Sequence, residues 1–223
     1  RRLAILKEKV FCDGNVVIWG PGSGISDGEK ISTESASKLT SFNFTMLPAN
    51  AHRRILISNF NHPITKDLDE SMVIGGPLPY GPILIPTDGT ELGIAWAKGG
   101  MNHIGMSLKE FGKGAARSRK GIASRGKGDY SAIFMTAVQI PAYLWRNIAR
   151  YAGAHVYCES NDILMADNCI VALHSLKSGQ KTVLLPEKSR VYDLTKNRLV
   201  SRGTRVIKFT IEAPETRVFH LEH

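Results

Sequence analysis

The stretch Val16–Gly28, with the sequence VVIWGPGSGISDG, joins a short apolar run to a turn rich in glycine, proline and serine. The apolar run that ends at Trp19 predicts a buried strand. The polar stretch Ser26–Leu39 predicts a helix, with Ser26 as its N-cap and Glu29 three residues later as in a capping box. A strand, a glycine turn and a helix in this order are typical of an α/β unit whose turn binds phosphate or holds a nucleophile.

The turn does not fit the motifs known for such sites. A Walker loop or a dinucleotide fingerprint needs a glycine where this sequence has Ile25 or Asp27. A nucleophile elbow centred on Ser23 needs glycines where Pro21 and Ile25 stand. We therefore interpret the segment as a structural strand-to-helix turn, with contact to a ligand as the open alternative.

Four side chains are candidate ligand contacts, and we expect no catalytic, cofactor or metal site. His62 directly follows the predicted strand Arg54–Ser58, where a site could lie, although its ring could equally brace the turn. The histidines show no H-E-x-x-H pattern, and the three cysteines no C-x-x-C spacing. Aromatic rings could serve as platforms for a sugar. The candidates are Trp19, Ser23, His62 and Tyr80.

The predicted secondary structure changes after Gly153. A helix is predicted from Pro141 to about Tyr151, with Gly153 as its C-terminal cap and Trp145 packed in the core. Short β-rich segments separated by turns follow, which indicates a small antiparallel module. We predict an α/β domain over residues 1–154 and an all-β domain over residues 155–223.

The beginning of the chain resembles the end of an amphipathic helix without a start methionine, so we expect a piece of a longer protein. No apolar run approaches the ~20 residues that span a bilayer. Three cysteines without a disulfide pattern favour reduced thiols and a cytoplasmic location, although export directed by a preceding segment stays open.

The positive charge is concentrated in one segment. The net charge is +9, and residues 109–129 contain seven lysines and arginines against two acids, Glu110 and Asp129. Such a segment attracts nucleic acid electrostatically. It has five glycines and no aromatic residue for base stacking beyond Phe111 at its edge. We expect a solvated insertion that is mobile and dispensable for folding over residues 112–128, rather than a binding site for nucleic acid.

An ordered series of residues resembles the C-terminal region of β-galactosidase-like glycoside hydrolases. In that family a helix leads into a His-x-Tyr pattern, an apolar strand, a Gly-Lys-Thr turn and a Val-x-Asp strand. The matching residues are Arg146, Ile148, Ala149, Ala152, Gly153, His155, Tyr157, Leu173, His174, Gly179, Lys181, Thr182, Leu185, Pro186, Val191, Asp193 and Glu215–Arg217.

The earlier part resembles the middle domain of the same family through Val17–Gly22, Leu39-Thr40 and Asn61–Ile64. The resemblance implies an α/β flavodoxin-like domain, similar to class I glutamine amidotransferases, followed by a small antiparallel β-sandwich-type domain. An amidotransferase nucleophile would be a cysteine after the strand, where this chain has Ser23. The family's catalytic carboxylates lie in an N-terminal barrel, and nothing in this sequence resembles that barrel.

The resemblance implies a non-catalytic accessory or oligomerisation region of a carbohydrate-cleaving enzyme. Its expected partners are the catalytic barrel of the same parent protein, the parent's carbohydrate substrate and further copies of the chain in a homo-oligomer, with no cofactor and no membrane. One alternative is a self-standing α/β hydrolase or amidotransferase-like enzyme that uses Ser23 and His62. The other is a polyanion or nucleic-acid binder that uses the basic segment 109–129.

Overall fold

The computed structural model describes residues 2–47, 51–52, 54–77, 79–97, 100–112 and 129–223. The chain forms two compact units, Arg1–Gly153 and Ala154–His223. The elements of the N-terminal unit are α1 (Arg2–Lys9), β1 (Asn15–Trp19), α2 (Thr33–Thr40), β2 (Phe44–Leu47), β3 (Ala51–His52), β4 (Arg54–Ile57), β5 (Val73–Ile74), β6 (Pro79–Tyr80), β7 (Ile83–Pro86), β8 (Thr90–Ala97), β9 (Gly100–Phe111), β10 (Tyr130–Met135) and α3 (Ala142–Ala152).

A six-stranded sheet organises the N-terminal unit, with the strand order β1-β10-β9-β8-β4-β5. Strands β1 and β10 are parallel, and Asn15 pairs with Tyr130 at one end and Trp19 with Phe134 at the other. The remaining neighbours are antiparallel. Short two-stranded sheets, β2 with β7 and β3 with β6, complete the unit.

Strand β10 is buried on both faces, because every residue from Ser131 to Met135 is buried. One face, which carries Ile133 and Met135, shares a core with Leu144 and Ile148 of α3. The opposite face packs against α2 and the β2–β7 pair through a second core. That core consists of Ala36, Phe42, Leu84, Ala132 and Phe134.

The flavodoxin-like, amidotransferase-like prediction is wrong. The fold is mostly β, and its main sheet has one parallel pair where a flavodoxin-like sheet is parallel throughout. Eight strands, β2 to β9, separate β1 from β10 along the chain, where a βαβ unit would have one crossover helix. That prediction came from the resemblance of Val17–Gly22, Leu39-Thr40 and Asn61–Ile64, short segments that mark a strand and its turns but carry no information about the direction of the neighbouring strands.

The strand β1 is confirmed, but the helix after the glycine turn begins later than predicted. Ser32, not Ser26, is the N-cap of α2, and its hydroxyl accepts a hydrogen bond from the Ser35 N–H at 3.2 Å. Ser26 instead lies in a tight loop, where its hydroxyl accepts from the Gly28 N–H.

Helix α3 is confirmed, with Pro141 at its N-cap and Gly153 in the left-handed conformation at its C-cap. The expected burial of Trp145 is wrong, since this side chain is 47% exposed. The residues of α3 that face the core are Leu144, Ile148 and Tyr151.

The C-terminal unit is one five-stranded antiparallel sheet in the order β11-β12-β15-β13-β14, not the expected sandwich. Alternate residues of β13 are buried, and those from its two halves, Val183 and Val191, share one core with Leu173 and Phe219. The sheet therefore curls around this core. Its strands are β11 (Ile163–Ala166), β12 (Ile170–Ser175), β13 (Gly179–Asp193), β14 (Arg198–Ile211) and β15 (Glu215–Glu222).

Buried ion pairs tie the strands of the C-terminal unit together. Arg217 Nη1 lies 2.6 Å from Asp193 Oδ2, and the two side chains are only 7% and 2% exposed. Arg217 Nε is 2.8 Å from Glu215 Oε1, a charge contact whose alignment leaves the N–H without a hydrogen-bond acceptor. Lys181 pairs with Asp162 at 2.9 Å, also largely buried. Asp193, Glu215, Arg217 and Lys181 all belong to the motif of the family resemblance, so here these motif residues stabilise the fold.

We expect Arg217→Met to lower the free energy of unfolding by about 3–5 kcal/mol, because it leaves the Asp193 carboxylate buried without its cationic partner. The matched control is Arg190→Met, which breaks an exposed pair with Glu222 and should cost about 0–1 kcal/mol. Urea unfolding of the two variants measures the difference. Equal losses would contradict a structural role for the buried pair.

Candidate functional site

His62 lies in the loop that follows β4, packed against helix α3. Its Nδ1 accepts a hydrogen bond from the Ile64 N–H at 3.2 Å, so a neutral ring carries its proton on Nε2. Its ring centroid is 5.4 Å from that of Tyr151, with the planes tilted by 56°. The loop is held in place by the buried side chains of Ile64 and Leu68, which join the core beneath α3.

Two further strands bring polar groups to the same place. The Tyr151 hydroxyl donates to Glu110 Oε1 at 2.6 Å, and Ser131 Oγ lies 3.4 Å from that hydroxyl. Glu110 and Ser131 are direct partners in the pairing of β9 with β10. We call His62, Glu110, Ser131 and Tyr151 the His62 cluster. The sequence indicated only His62, because the other three come together through strand register and the packing of α3.

The electrostatics of the His62 cluster favour a neutral imidazole. Burial lowers the pKa of His62 below its ordinary value of 6.5, and the Glu110 carboxylate partly opposes this shift. Among the residues that the structure describes, His62 Nε2 has no hydrogen-bond partner. The cluster therefore offers an N–H donor next to an exposed carboxylate, a combination that can exchange hydrogen bonds with a polar ligand.

Ser23 lies away from this cluster. It belongs to the turn that follows the carboxyl end of β1, and its hydroxyl accepts a hydrogen bond from the Gly20 N–H at 3.1 Å. Ser131, by contrast, is close to the amino end of β10. Because β1 and β10 are parallel and in register, Ser23 and the His62 cluster belong to opposite ends of the sheet. No hydrogen bond joins Ser23 to His62 within the described ranges, so the geometry does not favour the hydrolase alternative.

Trp19 and Tyr80 are half-buried and both have packing partners. The Trp19 ring lies edge-on to Phe11, with centroids 5.9 Å apart, and contacts the core that contains Phe134. The Tyr80 hydroxyl donates to the Thr136 carbonyl at 2.6 Å. Ligand contact by these two side chains and by Ser23 and His62 stays a prediction.

The edges of the basic segment are part of the fold. Lys109 Nζ lies 2.7 Å from Asp88 Oδ2 and donates to the Ser41 carbonyl at 2.7 Å. Phe111 is partly buried, stacks on Tyr130 at 4.4 Å between centroids and packs against the core that contains Phe134. Residues 113–128 lie outside the described residues. The structure therefore does not test the prediction of a mobile segment over 112–128 or of polyanion binding by 109–129.

Within the described part of the chain, no group of three or more His, Cys, Asp or Glu side chains could hold a metal ion. The three cysteines, Cys12, Cys158 and Cys169, are free thiols. None of the described helices has the length and apolar character needed to cross a membrane.

Comparison with known proteins identifies a shared fold. No protein-family model matches the chain, and no curated protein sequence is significantly similar to it. Among solved structures, the β-galactosidase from Bacillus circulans sp. alkalophilus aligns with 94% of this chain at a TM-score of 0.51 and 12% identity. The cold-adapted β-galactosidase from Rahnella sp. R3 aligns with 99% at a TM-score of 0.50 and 11% identity. The chain spans 29% and 30% of these two proteins, so it shares its fold with part of each.

We expect the pKa of His62, followed by NMR titration of its ring protons, to lie below 6.5 and to fall further in Glu110→Gln, because the variant removes the charge that favours the imidazolium. Glu91→Gln is the control. Glu91 accepts a hydrogen bond from the Ser58 hydroxyl, and its substitution should leave the titration of His62 unchanged. A folded-state pKa below the unfolded value also means that His62 contributes stability above pH 6.5, which is lost as the pH falls through the folded pKa. A rise of the His62 pKa in Glu110→Gln would contradict this account.

Proposed function

We propose that this chain is a non-catalytic accessory region of a carbohydrate-cleaving enzyme related to β-galactosidases. The observation that carries the proposal is that almost the entire chain aligns with less than a third of two β-galactosidases. In this proposal the catalytic barrel belongs to the same parent protein, outside this chain, and the carbohydrate is the substrate of the parent.

The chemistry of the described carboxylates supports an accessory role. Glycoside cleavage uses two carboxyl groups about 5–9.5 Å apart across the scissile bond. Here Asp88 pairs with Lys109, Asp162 with Lys181 and Asp193 with Arg217. A buried or half-buried cation beside a carboxylate favours its ionised form. An ionised carboxylate has no proton to donate to a leaving group.

A region of this kind would support the barrel, help wall its active site or join copies of the enzyme in a homo-oligomer. The cytoplasmic location and the oligomer stay predictions.

We expect the purified chain to release no nitrophenol from p-nitrophenyl β-galactoside above the uncatalysed background, because Asp88, Asp162 and Asp193 of the described residues are held in ion pairs. Two variants make the assay decisive, Glu110→Gln in the His62 cluster and Glu70→Gln on an exposed loop. Turnover that disappears in Glu110→Gln and persists in Glu70→Gln would show that the chain is itself a glycosidase.

A further inference from the structure

The C-terminal unit contains an open cleft with a volume of about 580 Å³. Its volume lies within the ~300–1,000 Å³ range of small-molecule sites. Charged and polar side chains surround it, with cations in excess over carboxylates. The lining residues are Lys188, Arg190, Arg202, Gly203, Glu222 and His223.

An irregular stretch of the β13–β14 hairpin builds the cleft. Leu184 pairs with Val206 and Ser189 with Thr204, so the four residues 185–188 oppose a single residue of β14. The next pair, Val191 with Ser201, leaves residues 202 and 203 opposite one residue of β13. These two bulges place Lys188 and Arg202 at the same cleft. Bulges of this kind re-aim side chains and are common next to functional sites.

Gly203 allows the Lys188 side chain to lie close to the backbone of β14. A Cβ atom at this position would be 3.1 Å from Lys188 Cε, which is tighter than an ordinary van der Waals contact. An alanine at this position would therefore require the lysine stem to shift by a few tenths of an ångström.

The charges of the cleft are only partly compensated within the described residues. Arg190 Nη1 lies 2.9 Å from Glu222 Oε2, and this pair is 55% and 52% exposed. Lys188 and Arg202 have no carboxylate partner in the described part of the chain. Glu187 Oε1 lies 3.2 Å from Nδ1 of the lining residue His223 and adds a second carboxylate beside Glu222. Lys188, Arg190 and Arg202 still outnumber these two carboxylates, so the cleft keeps a small positive charge.

We propose that this cleft binds a tetrahedral oxyanion, the phosphate or sulfate group of a small solute. An arginine presents a planar fork of N–H donors that matches two oxygens of such a group, and a lysine adds a compact charge from another side. The inference stands apart from the proposed glycosidase relationship, since it rests on the cleft alone.

Isothermal titration calorimetry at low ionic strength tests the proposal with inorganic phosphate, galactose 6-phosphate and galactose as probes. We expect both phosphates to bind and galactose to give no heat. The double variant Lys188→Gln/Arg202→Gln should weaken binding by at least about tenfold, because it removes two charge-assisted contacts. The control Arg198→Gln/Lys208→Gln removes the same charge from exposed positions of β14 outside the cleft and should change the affinity less than about twofold.

A third variant, Gly203→Ala, keeps every charge and moves the Lys188 stem by only a few tenths of an ångström, so it should weaken phosphate binding less than the double variant does while the melting temperature stays within a few degrees. Equal affinity for inorganic phosphate and galactose 6-phosphate would identify a site for the free anion. Tighter binding of galactose 6-phosphate would identify a site for a sugar phosphate. Absence of binding by both phosphates would overturn the proposal. So would an equal loss of affinity in the cleft variant and its charge-matched control.

Discussion

Burial of strand β10 on both faces is the constraint on which the N-terminal unit depends. A strand with every residue from Ser131 to Met135 buried needs a packed layer on each side of the sheet. Helix α3 and the loop after β4 supply one layer, and α2 with the β2–β7 pair supplies the other. The position of His62 follows from this arrangement, because the loop that closes the first layer carries it to Tyr151 at the end of α3.

The C-terminal unit depends on a different interaction, the buried pair of Asp193 and Arg217. It joins the end of β13 to β15, and Arg217 Nη2 also reaches the Thr210 carbonyl of β14 at 3.3 Å. The residues that carry the resemblance to β-galactosidases include this pair. In this chain the pair stabilises the curled sheet, so these residues are informative about the fold and say little about catalysis.

Local elements could be predicted from the sequence where a single residue decides them. Pro141 and Gly153 bound helix α3 as expected, and the apolar run before Gly20 is a strand. The fold class could not be predicted in the same way, because parallel and antiparallel neighbours of a buried strand have the same apolar pattern. The His62 cluster depends on the register that sets Glu110 opposite Ser131, and the cationic cleft depends on bulges around Lys188 and Arg202. Neither register nor bulges leave a periodic signal in the sequence.

The central claim is that β10 pairs in parallel with β1 on one side and antiparallel with β9 on the other. NMR measurement of interstrand nuclear Overhauser effects tests it most directly. The account predicts close Hα–Hα contacts between Ser131–Met135 and Met106–Glu110, the mark of antiparallel pairing, and none of this kind between β10 and β1. Parallel contacts on both sides of β10 would contradict the account.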